Sequence, residues 1–174
     1  MITAAKFEKV SFSIFADSCR KLMPQLGEDD ISAAYESITL PRRATKGSAG
    51  YDFFSPISLP SCLKAGESFT FPTGIRCKMD EGWVLLICPR SGMGFKTGVR
   101  LANTIGVIDQ DYYFSDNEGH IMVKLVNESA LSSAIEINCG TAFCQGLLLP
   151  FGIAENDSAN AIRNGGFGST SKQA

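Results

Sequence analysis

Histidine is almost missing from this 174-residue chain: His120 stands alone, and tryptophan is also single. Six cysteines, at 19, 62, 77, 88, 139 and 144, include no C-x-x-C pair. One histidine and unpaired cysteines exclude a zinc cluster of ordinary ligand spacing. Several of the cysteines lie in apolar runs such as VLLICP and GTAFCQG, and they read as buried free thiols of a reducing compartment. An excess of charge is lacking too. Sixteen Lys and Arg face 18 Asp and Glu, a net charge of -2, which excludes a broad electrostatic hold on nucleic acid or on an anionic membrane. No apolar run approaches membrane-spanning length, and MITAAKFEKVSF lacks the charged-then-apolar pattern of a signal peptide. The expectation is a cytoplasmic protein with neither nucleic acid nor membrane as partner. Internal repeats and low-complexity tracts are absent as well.

What is present is a hydrophobic content of 44%, enough for one domain with a real core. Residues 1–40 differ from the rest. SFSIFADSCRKLMPQL places Phe12, Phe15, Cys19 and Leu22 at helical spacing before Pro24. GEDDISAAYESITLP opens with acids and then lines Ile31, Ala34, Tyr35 and Ile38 along one face. Two short helices are expected there, as an extension packed on the body. From 41 to 155, short apolar or alternating runs recur between turn residues: GYDFFSP, ESFTFPTGIRCKM, GWVLLICP, HIMVKLVN, AIEINCG and TAFCQGLLLPFGI. That rhythm predicts a mainly β body, a sandwich or barrel, without βαβ alternation. Residues 156–174 end in IRNGGFGSTSKQA, too rich in glycine and too poor in apolar surface to pack upon themselves.

Polar residues and glycines gather in five places. TKGSAGYDFF carries Asp52; PRSGMGFKTG sets Arg90, Ser91 and Gly92 directly after an apolar strand; LANTIGVIDQDYY holds Asn103, Gly106, Asp109, Asp111 and Tyr112; GTAFCQG holds Gln145; the tail holds Arg163, Phe167, Ser169 and Thr170. Each alone has a bland reading. Asp52 suits a turn, Arg90-Ser91 a loop start as well as a phosphate grip, and Gln145 a satisfied buried amide. Asp109 and Asp111 alternate on an expected strand and share one side, which suits a solvated face as well as a site.

Together, GSAGYD at 47–52, PRSG at 89–92, GVIDQDY at 106–112, the glycine-initiated strand ending in Gln145, and GGFGST at 165–170 resemble, in order, the five motifs of the trimeric deoxyuridine triphosphatases (dUTPases). The resemblance covers about residues 40–170. It implies a dUTPase-like β jelly roll assembled as a homotrimer, with active sites shared between chains. It implies hydrolysis of dUTP to dUMP and pyrophosphate by water attack on the α-phosphate. This lowers dUTP and supplies dUMP for dTMP synthesis. Asp109 then orients and deprotonates the water, and Asp52 holds a water bound to Mg2+. Arg90, Ser91, Gly92 and Gln145 bind phosphates. Tyr112 lies beneath the deoxyribose and leaves no space for a 2′-hydroxyl, while Asn103 and Gly106 serve the uracil edge. The tail becomes an arm closing over the site of another subunit, with Phe167 on uracil and Arg163, Ser169 and Thr170 at the γ-phosphate.

The chain departs from the family pattern at three points. YFSDNEGH (113–120) is inserted after the sugar tyrosine and reads as a longer surface hairpin, with Asp116 and His120 in a solvated turn. Arg163 stands four residues before Phe167 where the family commonly has five. Thr141 and Ala142 replace charged residues of the fourth motif. Two rival readings differ in class. One is a dUTPase-like regulatory or interaction trimer with nucleotide as a switch. The other is a dCTP deaminase of similar fold, which GVIDQDY and the glycine-rich arm disfavour.

Overall fold

The computed structural model describes residues 2–59, 62–129, 134–161 and 163. Among the described residues nine strands form three antiparallel sheets: β1 (Ala5–Lys9), β2 (Tyr51–Phe54), β3 (Ser68–Pro72), β4 (Ile75–Met79), β5 (Trp83–Pro89), β6 (Val99–Leu101), β7 (Gly106–Ile108), β8 (Met122–Asn127) and β9 (Ala142–Pro150). Their orders are β1-β4, β2-β9-β5-β7 and β3-β8-β6. The protein is mainly β, as the alternating runs predict. AIEINCG is the exception among those runs: it contributes only an isolated bridge from Ile135 to Leu63.

Both expected helices form, as α1 (Phe12–Leu22) and α2 (Glu28–Ser37). The Ser11 hydroxyl caps α1 by accepting from the Ile14 N–H, and Arg20 and Lys21 sit in the last turn where the helix dipole favours cations. Three acids, Glu28, Asp29 and Asp30, open α2. Phe15, Ala16 and Cys19 of α1 and Ile31 of α2 are fully buried in the same cluster as Phe53, Phe71, Leu85 and Phe143 of the sheets. The N-terminal segment also adds β1, which pairs with β4 from Ala5–Met79 to Lys9–Ile75. Its sequence, AKFEK, has one strong strand former, so this pairing comes from the distant β4 and not from local preference.

Residues 113–120 correct the expectation of a solvated hairpin. A 3-10 helix (Gln110–Phe114) leads into a compact turn, and His120 is 1% exposed. Its Nε2 accepts from the Gly74 N–H at 2.9 Å, and its Nδ1 meets Ser18 Oγ of α1 at 3.2 Å. Asp116 alone keeps the solvated place expected of it.

Burial pushes the His120 imidazole from 6.5 down to about 4. A folded pKa below the unfolded one means that the unfolded chain binds the extra proton first as pH falls. The neutral ring therefore gives its full stability above about pH 6.5, and that contribution is lost between 6.5 and about 4. The span corresponds to about 3 kcal/mol. Denaturant titrations at pH 7 and pH 5 should show a stability drop that is clearly smaller in His120→Gln, which cannot titrate.

Candidate active site

Motif residues collect at two places along β5. At its C-terminal end, Pro89 leads into Arg90, which caps a third helix, α3 (Ser91–Thr97). This helix replaces the loop expected from PRSGMGFKTG, and it puts Ser91 and Gly92 in a first turn whose N–H groups have no helical carbonyl ahead of them. The Arg90 guanidinium is held by Asp52, with Nε–Oδ1 at 2.9 Å, and by the Ala142 carbonyl at 3.1 Å. Ala142 thus acts through its backbone, so the loss of a charged side chain there leaves the contact intact.

Cross-strand register completes this cluster. Gln145 of β9 lies opposite both Asp52 of β2 and Cys88 of β5. Its amide donates to the Pro89 carbonyl at 3.0 Å, which turns the carbonyl of the side chain toward the 47–50 turn. Gly50 leaves room for it: a Cβ at that position would stand 2.3 Å from Gln145 Oε1 and push the amide from this place. Asp52, Arg90, Ser91, Gly92 and Gln145 therefore share one end of the four-stranded sheet.

The other place is β7 together with residues 109–112. Asn103 lies in the turn before β7, Gly106 begins the strand opposite Ile87, and Asp109 follows its last residue, Ile108. The expected strand does not continue through Asp111. Asp109 instead caps the 3-10 helix, and its carbonyl accepts from the Tyr112 N–H at 3.2 Å. The carboxylates of Asp109 and Asp111 still converge, because Arg163 bonds to Asp109 and approaches Asp111 with Nε–Oδ1 at 3.0 Å. The guanidinium also lies over the Tyr112 ring, 5.9 Å from its centroid. Burial raises the Tyr112 phenol above its ordinary pKa, so its hydroxyl stays neutral. Asn103, Gly106, Ile108, Tyr112, Asn117 and Arg163 help line a cavity of about 830 Å³.

These two clusters do not meet within one chain. Ile108 pairs with Leu85, and Arg90 lies five residues beyond Leu85, roughly 16 Å along an extended strand. Arg163 is placed against its own chain's carboxylates. Phe167, Ser169 and Thr170 lie outside the described residues. Among the described residues, no group of three or more His, Cys, Asp or Glu side chains could form a metal cage.

The family profile for dUTPase matches residues 36–171. The chain belongs to the dUTPase family. A dUTPase relative, the deoxyuridine 5'-triphosphate nucleotidohydrolase of Lactococcus lactis, is 38% identical over 136 residues, covering 76% of this chain and 88% of the relative. The crystal structure of the Streptococcus mutans dUTPase is 34% identical with a TM-score of 0.61, covering 70% of this chain and 91% of that one. A variant dUTPase from phage phi11 of S. aureus, described with a structural Mg(II) ion, shares the fold at 18% identity and a TM-score of 0.62, covering 91% of this chain and 98% of that one. Several site features escape a reading by motif alone. Asp111 becomes a second partner of Arg163, the Ala142 and Pro89 carbonyls anchor Arg90 and Gln145, and Asn117 and His120 stand behind Tyr112. Only Asp111 carried any signal, through its alternation with Asp109.

Proposed function

We propose that this dUTPase-family hydrolase converts dUTP to dUMP and pyrophosphate in sites assembled between copies of the chain. The observation that carries this reading is the separation of Arg90 from the Asp109 end of β7, where Ile108 pairs with Leu85, roughly 16 Å from Arg90 along β5. One cluster has phosphate-binding chemistry and the other a carboxylate beside a nucleoside-sized cavity; a second chain must bring one to the other. A homotrimer joins such clusters around one axis.

In the composite site a water held by Asp109 attacks the α-phosphorus. Its proton passes to the Asp109 carboxylate, the bond to the β-phosphate oxygen breaks, and pyrophosphate leaves. Arg90 meets the phosphate oxygens with a guanidinium pre-set by Asp52, while Ser91, the Gly92 N–H and Gln145 supply uncharged donors. No protein cage for an ion exists among the described residues, which suits Mg2+ brought in by the triphosphate: Asp52 would hold one of its waters, and the ion would offset charge on the phosphates. The Tyr112 ring forms the floor under the deoxyribose, and Asn103 with the backbone from Gly106 onward reads uracil. The Arg163–Asp109 ion pair must open before Asp109 can hold water. The γ-phosphate is the competing anion that draws Arg163 away, toward the place where Ser169 and Thr170 of the arm bind, with Phe167 stacked on the base.

Pyrophosphate release from dUTP, dCTP, dTTP and UTP in the presence of magnesium tests this function. Turnover confined largely to dUTP is expected. Comparable turnover of all four, or ammonia release from dCTP, would overturn it.

A further inference from the structure

The inserted residues 113–120 and helix α1 meet beside Tyr112, where Asn117 and Ser18 line the same cavity as the ring. The Tyr112 side chain is 5% exposed, and its hydroxyl is held from two sides. It lies 2.8 Å from the His120 carbonyl oxygen and 2.7 Å from Asn117 Nδ2. A carbonyl only accepts, so the single phenolic proton goes to His120 and Asn117 must be the donor. The other end of the Asn117 amide, Oδ1, accepts from the Gly119 N–H at 3.2 Å.

The direction of each bond behind this pair is also determined. Because His120 Nε2 accepts from the Gly74 N–H, Nδ1 carries the ring proton and donates to Ser18 Oγ. Ser18 passes its own proton to the Ile14 carbonyl at 3.0 Å. The turn that bears Asn117 presses on the backbone of the tyrosine as well. Glu118 and Gly119 have φ values of 56° and 70°, and a Cβ at Gly119 would come within 2.7 Å of Tyr113 Cα. Every polar atom in this assembly is satisfied, and its last member is the hydroxyl of a ring that faces the cavity.

Exclusion of a 2′-hydroxyl by contact works only if the excluding group cannot yield. A ring free to tilt by a fraction of an ångström would admit the extra oxygen at little cost. Discrimination is therefore set by how firmly the ring is held, and the ring is held through its hydroxyl. We propose that Asn117 is a positioning residue for sugar selectivity: together with the His120 carbonyl, whose own ring is tied to Ser18 of α1, it fixes Tyr112 as an unyielding floor. The inference rests on the reading of Tyr112 as that floor. It gives the insertion and the N-terminal helix a shared role in the reaction of the chain.

The test measures kcat and KM for dUTP and for UTP in the full chain carrying Asn117→Ala, Tyr112→Ala or both. Losing one hydrogen bond to the ring should lower the dUTP-to-UTP ratio of kcat/KM about tenfold. The change should come mainly through better use of UTP, which a merely structural defect would not produce. In the Tyr112→Ala background, Asn117→Ala should leave the ratio where Tyr112→Ala alone has put it. If Tyr112→Ala does not move the ratio, Tyr112 is not the floor and the underlying reading fails. If Tyr112→Ala collapses the ratio while Asn117→Ala leaves it at the wild-type value, the floor stands and the positioning role is overturned. Should Asn117→Ala not fold, Asn117→Leu keeps the shape and removes the donor. The same fall in ratio is then expected, and an unchanged ratio overturns the proposal.

Discussion

Asp109→Asn should lower kcat for dUTP by roughly 10²–10⁴-fold, the range in which a positioned general base contributes. The amide is isosteric and still accepts a hydrogen bond, so water can be held, but it cannot take the proton that the attacking oxygen sheds. KM should change little, because no binding contact to base, sugar or phosphates is removed. The fold should be unaffected too: the lost partner of Arg163 is a carboxylate at the surface, and Asp111 remains beside the same guanidinium. Steady-state pyrophosphate release gives kcat, and a binding titration with a non-hydrolysable dUTP analogue gives affinity. A variant retaining more than a tenth of wild-type turnover would remove Asp109 from the role of base.

The residues of the site were legible in the sequence to very different degrees. β5 and β9 could be read from VLLICP and AFCQGLLLP, apolar runs of strand length rich in strand-forming residues. Arg90 and Gln145 could be located at their ends for the same reason. The conformation after β5 could not be read. SGMGFKT has two glycines and buries none of its side chains, so nothing in its intrinsic preference calls for a helix; Gly98, left-handed at φ 69°, ends α3 where tertiary contacts have already formed it. β1, β6 and β7 are short strands defined by their partners, and a partner 70 residues away leaves no trace in a local window.

Asp109 and Asp111 show how an expected juxtaposition can arise from a different local structure. Alternation on a strand puts them on one side, but a 3-10 helix brings them together instead, and the shared guanidinium of Arg163 is what joins them. His120 shows the converse. A lone histidine between Gly119 and Ile121 reads as a turn residue, and only the approach of Ser18 from one side and Gly74 from the other makes it a buried strut. Both partners are distant in sequence. Local pattern therefore reports the ends of long strands well and reports the supports behind a site poorly.

Mixing two inactive variants, Asp109→Asn and Arg90→Ala, should restore activity to about a quarter of the wild-type level per site when equal amounts are unfolded and refolded together. The figure comes from composition. If a site takes Asp109 from one chain and Arg90 from another, it is intact when the first donor is an Arg90→Ala chain and the second an Asp109→Asn chain. With random assortment each condition holds for half of the chains, and both hold for about one site in four. If a single chain supplied both residues, every site would carry one lesion and mixing would restore nothing. The expectation rests on the register of β5, where Ile108 is fixed opposite Leu85 and Arg90 lies five residues away. No side-chain movement spans roughly 16 Å of extended strand, so the two clusters act on one phosphate only if assembly joins them. Pyrophosphate release by the refolded mixture, set beside each variant refolded alone, reads the result directly. Silence in a mixture whose mass in solution matches the wild-type oligomer would place both groups in one chain and overturn the composite site.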